Sequence, residues 1–145
     1  MMTTGPVKTH AAATITLESA GELIRAARRA AADIGIEVAV AVTDAGGHLT
    51  AFERTDNARF LTVQVAIDKA WTAASYGVET HTWSAVLADP AVSQMANIPR
   101  LLAAGGGYPI LVDGAVVGGL GISGGTHEQD EQAAETALWA AGFRL

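Results

Sequence analysis

The elements legible in this chain predict an α+β fold: a central antiparallel sheet built from two β-hairpins and flanked by helices. Two hairpin signals carry the expectation. Asp44-Ala45-Gly46-Gly47 and Asp113-Gly114 each separate two strand-like runs. A helical period recurs before, between and after those hairpins. Hairpins pair their strands antiparallel, whereas a doubly wound parallel sheet needs a long crossover between successive strands.

The first helix rests on Leu17, Ala20, Leu23 or Ile24, Ala27, Ala31 and Ile34, which recur at three- and four-residue steps while Glu18, Glu22, Arg25 and Arg28 fall elsewhere. Thr16 is a candidate N-cap, Ser19 with Glu22 is a competing capping box, and Gly35 supplies a left-handed stop. Glu37 to Thr43 alternates Val38, Val40 and Val42 with Ala39 and Ala41, a strand with one bulky face and one tight face. His48 to Arg54 is its returning partner. Phe60, Val63, Ile67, Ala70, Trp71 and Ala74 mark a second helix ending near Gly77. Thr82 to Leu87 reads as a short helix stopped before Pro90, and Ala91 to Leu102 is compatible with either helix or loop. Tyr108 to Val112 and Ala115 to Ile122 form the second hairpin. Gly124-Gly125 and Thr126 then open a last helix, with Ala133, Ala134, Ala137, Leu138 and Ala141 apolar and Gly142 at its end.

At 145 residues, half of them hydrophobic, the chain suits one domain with a real core. Residues 1–15, with Gly5-Pro6 and no periodicity, read as a flexible tail, and residues 16–145 as the domain. A formal charge of −6 and scattered cations argue against nucleic acid as a partner. No apolar run reaches membrane-spanning length and no export leader is visible, so no membrane association and a cytoplasmic location are expected. The absence of cysteine excludes a thiolate nucleophile and any thiolate-bound metal. Only 17% of residues are charged, which leaves little polar surface for a small monomer and points to self-association.

Three stretches carry a resemblance. Val40-Ala41-Val42-Thr43-Asp44-Ala45-Gly46-Gly47-His48-Leu49, Asp68-Lys69-Ala70-Trp71-Thr72-Ala73, and Gly107-Tyr108-Pro109-Ile110 through Gly118-Gly119-Leu120-Gly121-Ile122-Ser123-Gly124-Gly125 resemble the GlcG/HbpS family, and Gln129-Asp130-Glu131 extends the last of them. The likeness runs from about Leu17 to Ala141. It implies a profilin-like domain assembled into tetramers or octamers. Because the family includes a secreted haem-binding sensor protein and the haem-binding C-terminal domain of a cobalamin adenosyltransferase, it also makes haem the leading small-molecule ligand. Lys69, Thr72 and Thr80 fall on the family's motif and are implied pocket residues. Glu79 stands where the family usually has proline.

Haem asks for an apolar slot, an axial ligand and partners for its propionates. His81 is the chain's own axial candidate and His10, on the tail, the second. Gly119 and Gly121 inside a strand each cost about 0.5–1 kcal/mol relative to alanine, so something must approach the backbone there, either a ligand or a packed helix. With Ser123 they complete the expected ligand-binding set. The Gly121–Gly125 turn leads into a helix N-terminus, compatible with an anion site or with a plain cap in which Thr126 and Gln129 close a capping box. Gly121-Ile122-Ser123-Gly124-Gly125 also matches a nucleophile elbow, a reading rejected because no acid followed by a histidine comes after Ser123. Glu128 and Glu131, one turn apart, suit a hard cation or a solvated acidic first turn. The alternative function is a cofactor-free lyase, hydratase or isomerase on a small organic acid, with Asp44, Lys69 and His81 as catalytic acid–base groups and His127 and Asp130 in reserve.

Overall fold

The computed structural model describes residues 5–145. In chain order it contains α1 (Leu17–Asp33), β1 (Ala39–Asp44), β2 (Leu49–Arg54), α2 (Leu61–Tyr76), a 3-10 turn (Thr80–Thr82), α3 (Trp83–Leu87), a second 3-10 turn (Ser93–Asn97), β3 (Gly107–Val112), β4 (Ala115–Ser123) and α4 (His127–Ala140). The α+β expectation holds. The four strands form one antiparallel sheet in the order β2-β1-β4-β3, so each predicted hairpin is present and the two meet at β1 and β4. The segment left open between helix and loop, Ala91 to Leu102, contains only the second 3-10 turn.

Alternation along β1 divides the molecule into three layers. Val38, Val40 and Val42 join Leu120, Ile122, Tyr108 and Ile110 in the main core beneath α1 and α4. On the opposite face Ala39 and Ala41 pack with Ala66 and Ala70 of α2. That face is made tight by residue size. A Cβ on Gly119 would fall against the Ala70 carbonyl oxygen, and one on Gly121 against the Ala66 carbonyl oxygen. The backbone that needs these two glycines bare is therefore that of α2. Of the two readings allowed by sequence, the packed helix is the one observed, and neither glycine faces an opening for a ligand.

Local chemistry sets the boundaries. Thr16 caps α1 by accepting the Ser19 N–H at 3.1 Å, which settles the competition with the Ser19–Glu22 box. Gly77 ends α2 in the left-handed region at φ 69°. Just before α1 the Thr14 hydroxyl accepts the Ala45 N–H at 2.9 Å and the Ile15 N–H donates to the Val117 carbonyl. Residues 5–13 are exposed and have no regular secondary structure; residues 1–4 of the expected tail lie outside the described residues. Among the described residues no helix is long and apolar enough to cross a membrane.

Candidate functional site

Lys69, Ser123 and Asp130 meet at the end of the sheet where β1 starts and β4 ends. Lys69 reaches from α2 beneath the sheet, donating to the Ile122 carbonyl at 2.8 Å and to Asp130 Oδ2 at 3.1 Å. Asp130 Oδ1 accepts the Gly125 N–H at 2.9 Å. Both side chains are only 4% exposed. Burial holds the Lys69 ammonium below its ordinary pKa against the pull of Asp130, and the same burial holds the Asp130 carboxyl above its ordinary range against the pull of Lys69.

The threonines are ties within the chain. Thr80 is fully buried, accepts the Gly107 N–H at 2.9 Å and donates to the Ala104 carbonyl, clamping the glycine run that enters β3. Thr72, also fully buried, donates to the Arg100 carbonyl and accepts the Leu102 N–H, each at 3.0 Å. In the single chain Lys69, Thr72 and Thr80, expected to line a pocket, are buried and bonded to other parts of the chain. Their polar atoms face inward and find hydrogen-bond partners within the chain. Ser123, 7% exposed, sits on the same crowded sheet face.

The glycine turn bonds several of its own N–H groups. Asp130 takes the Gly125 N–H, Gln129 Oε1 takes the Thr126 N–H, and Thr126 Oγ1 takes the Gln129 N–H. The capping box observed is the plainer of the two readings. The proposed acid–base groups do not converge. Asp44 pairs with Gly118, whereas Ile122, which holds Lys69, pairs with Val40. Four residues of strand, about 13 Å, separate the two points. Asp44 instead organises its own turn, accepting the Gly46 and His48 N–H groups with His48 Nδ1 at 3.2 Å. Although desolvation opposes it, these bonds hold the Asp44 carboxyl below its ordinary value. Asp44 with Lys69 and His81 is thus no catalytic set within one chain.

His81 is the candidate left on the surface. Its side chain is 49% exposed, with Nδ1 3.8 Å from Glu131 Oε1. Apolar groups lie exposed in the flanking sequence at Tyr76, Val78 and Val86. Tyr76 meets Trp83 edge to face, with centroids 5.1 Å apart, and the buried Trp83 Nε1–H has no acceptor among the described residues. The other three histidines are placed differently. His10 lies on the exposed segment tethered at Thr14 to the far end of the sheet, His48 on the Asp44 turn, and His127 beside Glu128 in solvent. Among the described residues no group of three or more His, Asp or Glu is arranged to hold a metal ion.

Sequence reasoning missed a second polar cluster. Asp68 Oδ1 accepts from Gln64 Nε2 at 2.9 Å and from Arg100 Nε at 3.1 Å, while the Arg100 guanidinium lies 4.7 Å from the centroid of the Trp71 ring. The i,i+4 pair Gln64–Asp68 was legible on a helix. Arg100 was not, because it arrives from a segment without periodicity.

The comparisons agree with this architecture. A protein of Citrobacter freundii, known only as an uncharacterised 15.0 kDa protein of the dhaT-dhaS intergenic region, is 36% identical over 135 residues, covering 90% of this chain and 94% of that one. The crystal structure of HbpS superposes with a TM-score of 0.86 at 32% identity over 97% of this chain and 99% of that chain. PduOC, solved as a complex with haem, superposes with a TM-score of 0.82 at 32% identity over 90% and 97%. The family model described as haem degrading protein HbpS-like matches residues 15–139, and the chain belongs to that family.

Proposed function

We propose that this protein binds haem at the open face around His81, with a second copy of the chain forming the opposite wall. The observation that carries the reading is the likeness of nearly the whole chain to PduOC, a protein solved with haem bound. The donor chemistry fits. His81 stands on a short 3-10 turn whose first residue, Thr80, is clamped to β3, so its imidazole is mounted on a fixed base. The imidazole is half exposed and so accessible to iron, and Tyr76, Val78 and Val86 offer apolar surface. The Trp83 N–H is a buried donor without a partner among the described residues. When bound, haem supplies the iron; the chain's residues hold and orient it and keep water from one face. A two-chain slot accounts for an apolar ligand on a surface that one chain leaves open. His10, on the exposed N-terminal segment, is the second ligand in this reading, reaching across from a neighbouring copy.

Titration of the purified protein with haemin should give a saturable Soret shift with a fixed ratio of haem to chain. His81→Ala should abolish the shift or move it to a different spin state, and His10→Ala should alter the spectrum less. A broad, non-saturating spectrum, or identical spectra for wild type and His81→Ala, would sink the assignment. Lys69, Thr72 and Thr80 act here as supports, so their variants should change stability before they change the spectrum.

A further inference from the structure

We infer a second ligand site, a receptor for a carboxylate with an apolar body, where Arg100 lies on Trp71. Three segments meet there: α2 through Asp68 and Trp71, the loop before β3 through Arg100, and the β1–β2 turn through Gly47. Gly47 touches the indole so closely that a Cβ there would lie 2.9 Å from Trp71 Cδ1, at a backbone φ of +82°. The guanidinium is fixed in two ways. Its face rests on Trp71, and its Nε donates to Asp68, a carboxylate held in turn by Gln64. Neither contact uses the two terminal amino groups, for which no hydrogen bond is present among the described residues, and the Arg100 side chain is 40% exposed. A guanidinium held at Nε and over its face presents the remaining pair of N–H bonds as a fork matched to a carboxylate.

A merely structural role accounts poorly for this arrangement. The loop backbone is already pinned by Thr72, which bonds the Arg100 carbonyl and the Leu102 N–H. The side-chain orientation is additional. Beside the fork, Ile67 lies one helical turn before Trp71, and Ile67 and Phe52 pack half-buried against the alanine face of the sheet. With Ile67 and Trp71 on one face of α2 and the cation resting on Trp71, the place suits a molecule with an apolar body and an anionic end. A fatty or aromatic acid carries that chemistry, and so does a porphyrin propionate edge. The inference does not depend on His81 or on iron.

The test reads the Trp71 indole N–H resonance of the ¹⁵N-labelled full chain, identified by its loss in Trp71→Phe. Octanoate, its methyl ester, iron-free protoporphyrin IX and the porphyrin's dimethyl ester are titrated at constant ionic strength. A saturable shift is expected with one or both acids and not with their esters, and Arg100→Lys should weaken binding at least about tenfold, the loss of a charged bidentate pair. Saturation by octanoate assigns the site to free organic acids; saturation by protoporphyrin alone assigns it to a porphyrin propionate. The proposal is overturned if neither acid saturates, if the esters bind as well as the acids, or if the resonance responds only to protein dilution, which makes the place a contact between copies. Should Arg100→Lys not fold, Arg100→Gln replaces it, and the ester comparison needs no variant. Because the porphyrin carries no iron, failure here is distinct from failure of the His81 assignment.

Discussion

The buried Lys69–Asp130 pair shows how little of a residue's role follows from its type. A lysine on a family motif beside an aspartate looks like a pocket, yet both charges are spent inside the chain, on each other, on the Ile122 carbonyl and on the Gly125 N–H. Removing one partner leaves the other buried and uncompensated, so Lys69→Met should destabilise the fold by about 3–5 kcal/mol at neutral pH. The sign of the pH dependence follows from Asp130. Its folded carboxyl already lies above the ordinary value, so folding takes up a proton there; that contribution is greatest in acid and is lost as pH rises through the folded pKa. Without the ammonium that opposes the rise, the carboxyl moves further up. Lys69→Met should therefore regain stability on acidification, and Lys69→Met/Asp130→Asn should flatten the profile while keeping an acceptor for Gly125. Urea midpoints measured across a pH series check this, and a flat profile for the single variant would mean that Asp130 is solvated. The strand glycines make the same point. Composition revealed that something presses on Gly119 and Gly121, but a helix and a ligand demand the same bare backbone, and only the register of α2 against β4 shows which is present. Gly119→Ala and Gly121→Ala should each cost at least about 2 kcal/mol, because the obstructing atoms are helix carbonyls that yield only if α2 lifts as a body.

The elements were the most legible part, and capping explains why. Thr16, Gly77, Asp113-Gly114 and Thr126 each act through their own backbone neighbourhood, so their signals survive in the bare sequence. The segment 91–102 was not legible because its fold depends on a distant partner, the Thr72 hydroxyl of α2. The same distinction bears on the two readings of the glycine turn: an N–H group binds an anion only when it is free, and here those of Gly125, Thr126 and Gln129 are already bonded to Asp130, Gln129 and Thr126. Thr126→Ala should consequently lower stability by about 1 kcal/mol, as loss of an N-cap does, while Thr126→Asn retains most of it. Denaturant midpoints of the two variants decide the matter; equal losses would show that the cap contributes through packing rather than through its hydrogen bond.

At the scale of the whole molecule, the surface is what a single chain leaves unexplained. Phe60 is 90% exposed and Leu61 69% exposed at the start of α2, and Trp139 is 74% exposed on α4, in a chain with only 17% charged residues. Apolar surface on this scale is expected to be covered, and second copies of the chain are the economical cover. The protein should then sediment at a multiple of its 14.8 kDa chain mass, and Phe60→Glu with Leu61→Glu should reduce that mass while the far-ultraviolet spectrum stays unchanged. A single-chain mass for the wild type across a dilution series would refute the expectation. Assembly also bears on the ligand. The face around His81 is open on one side, so a slot formed between copies makes haem affinity depend on association. By linkage, haem should shift the wild type toward the larger species, and the dissociated variant should bind haem more weakly although every residue around His81 is intact. Equal affinity in the two forms would place the whole site on one chain and remove the need for the second wall.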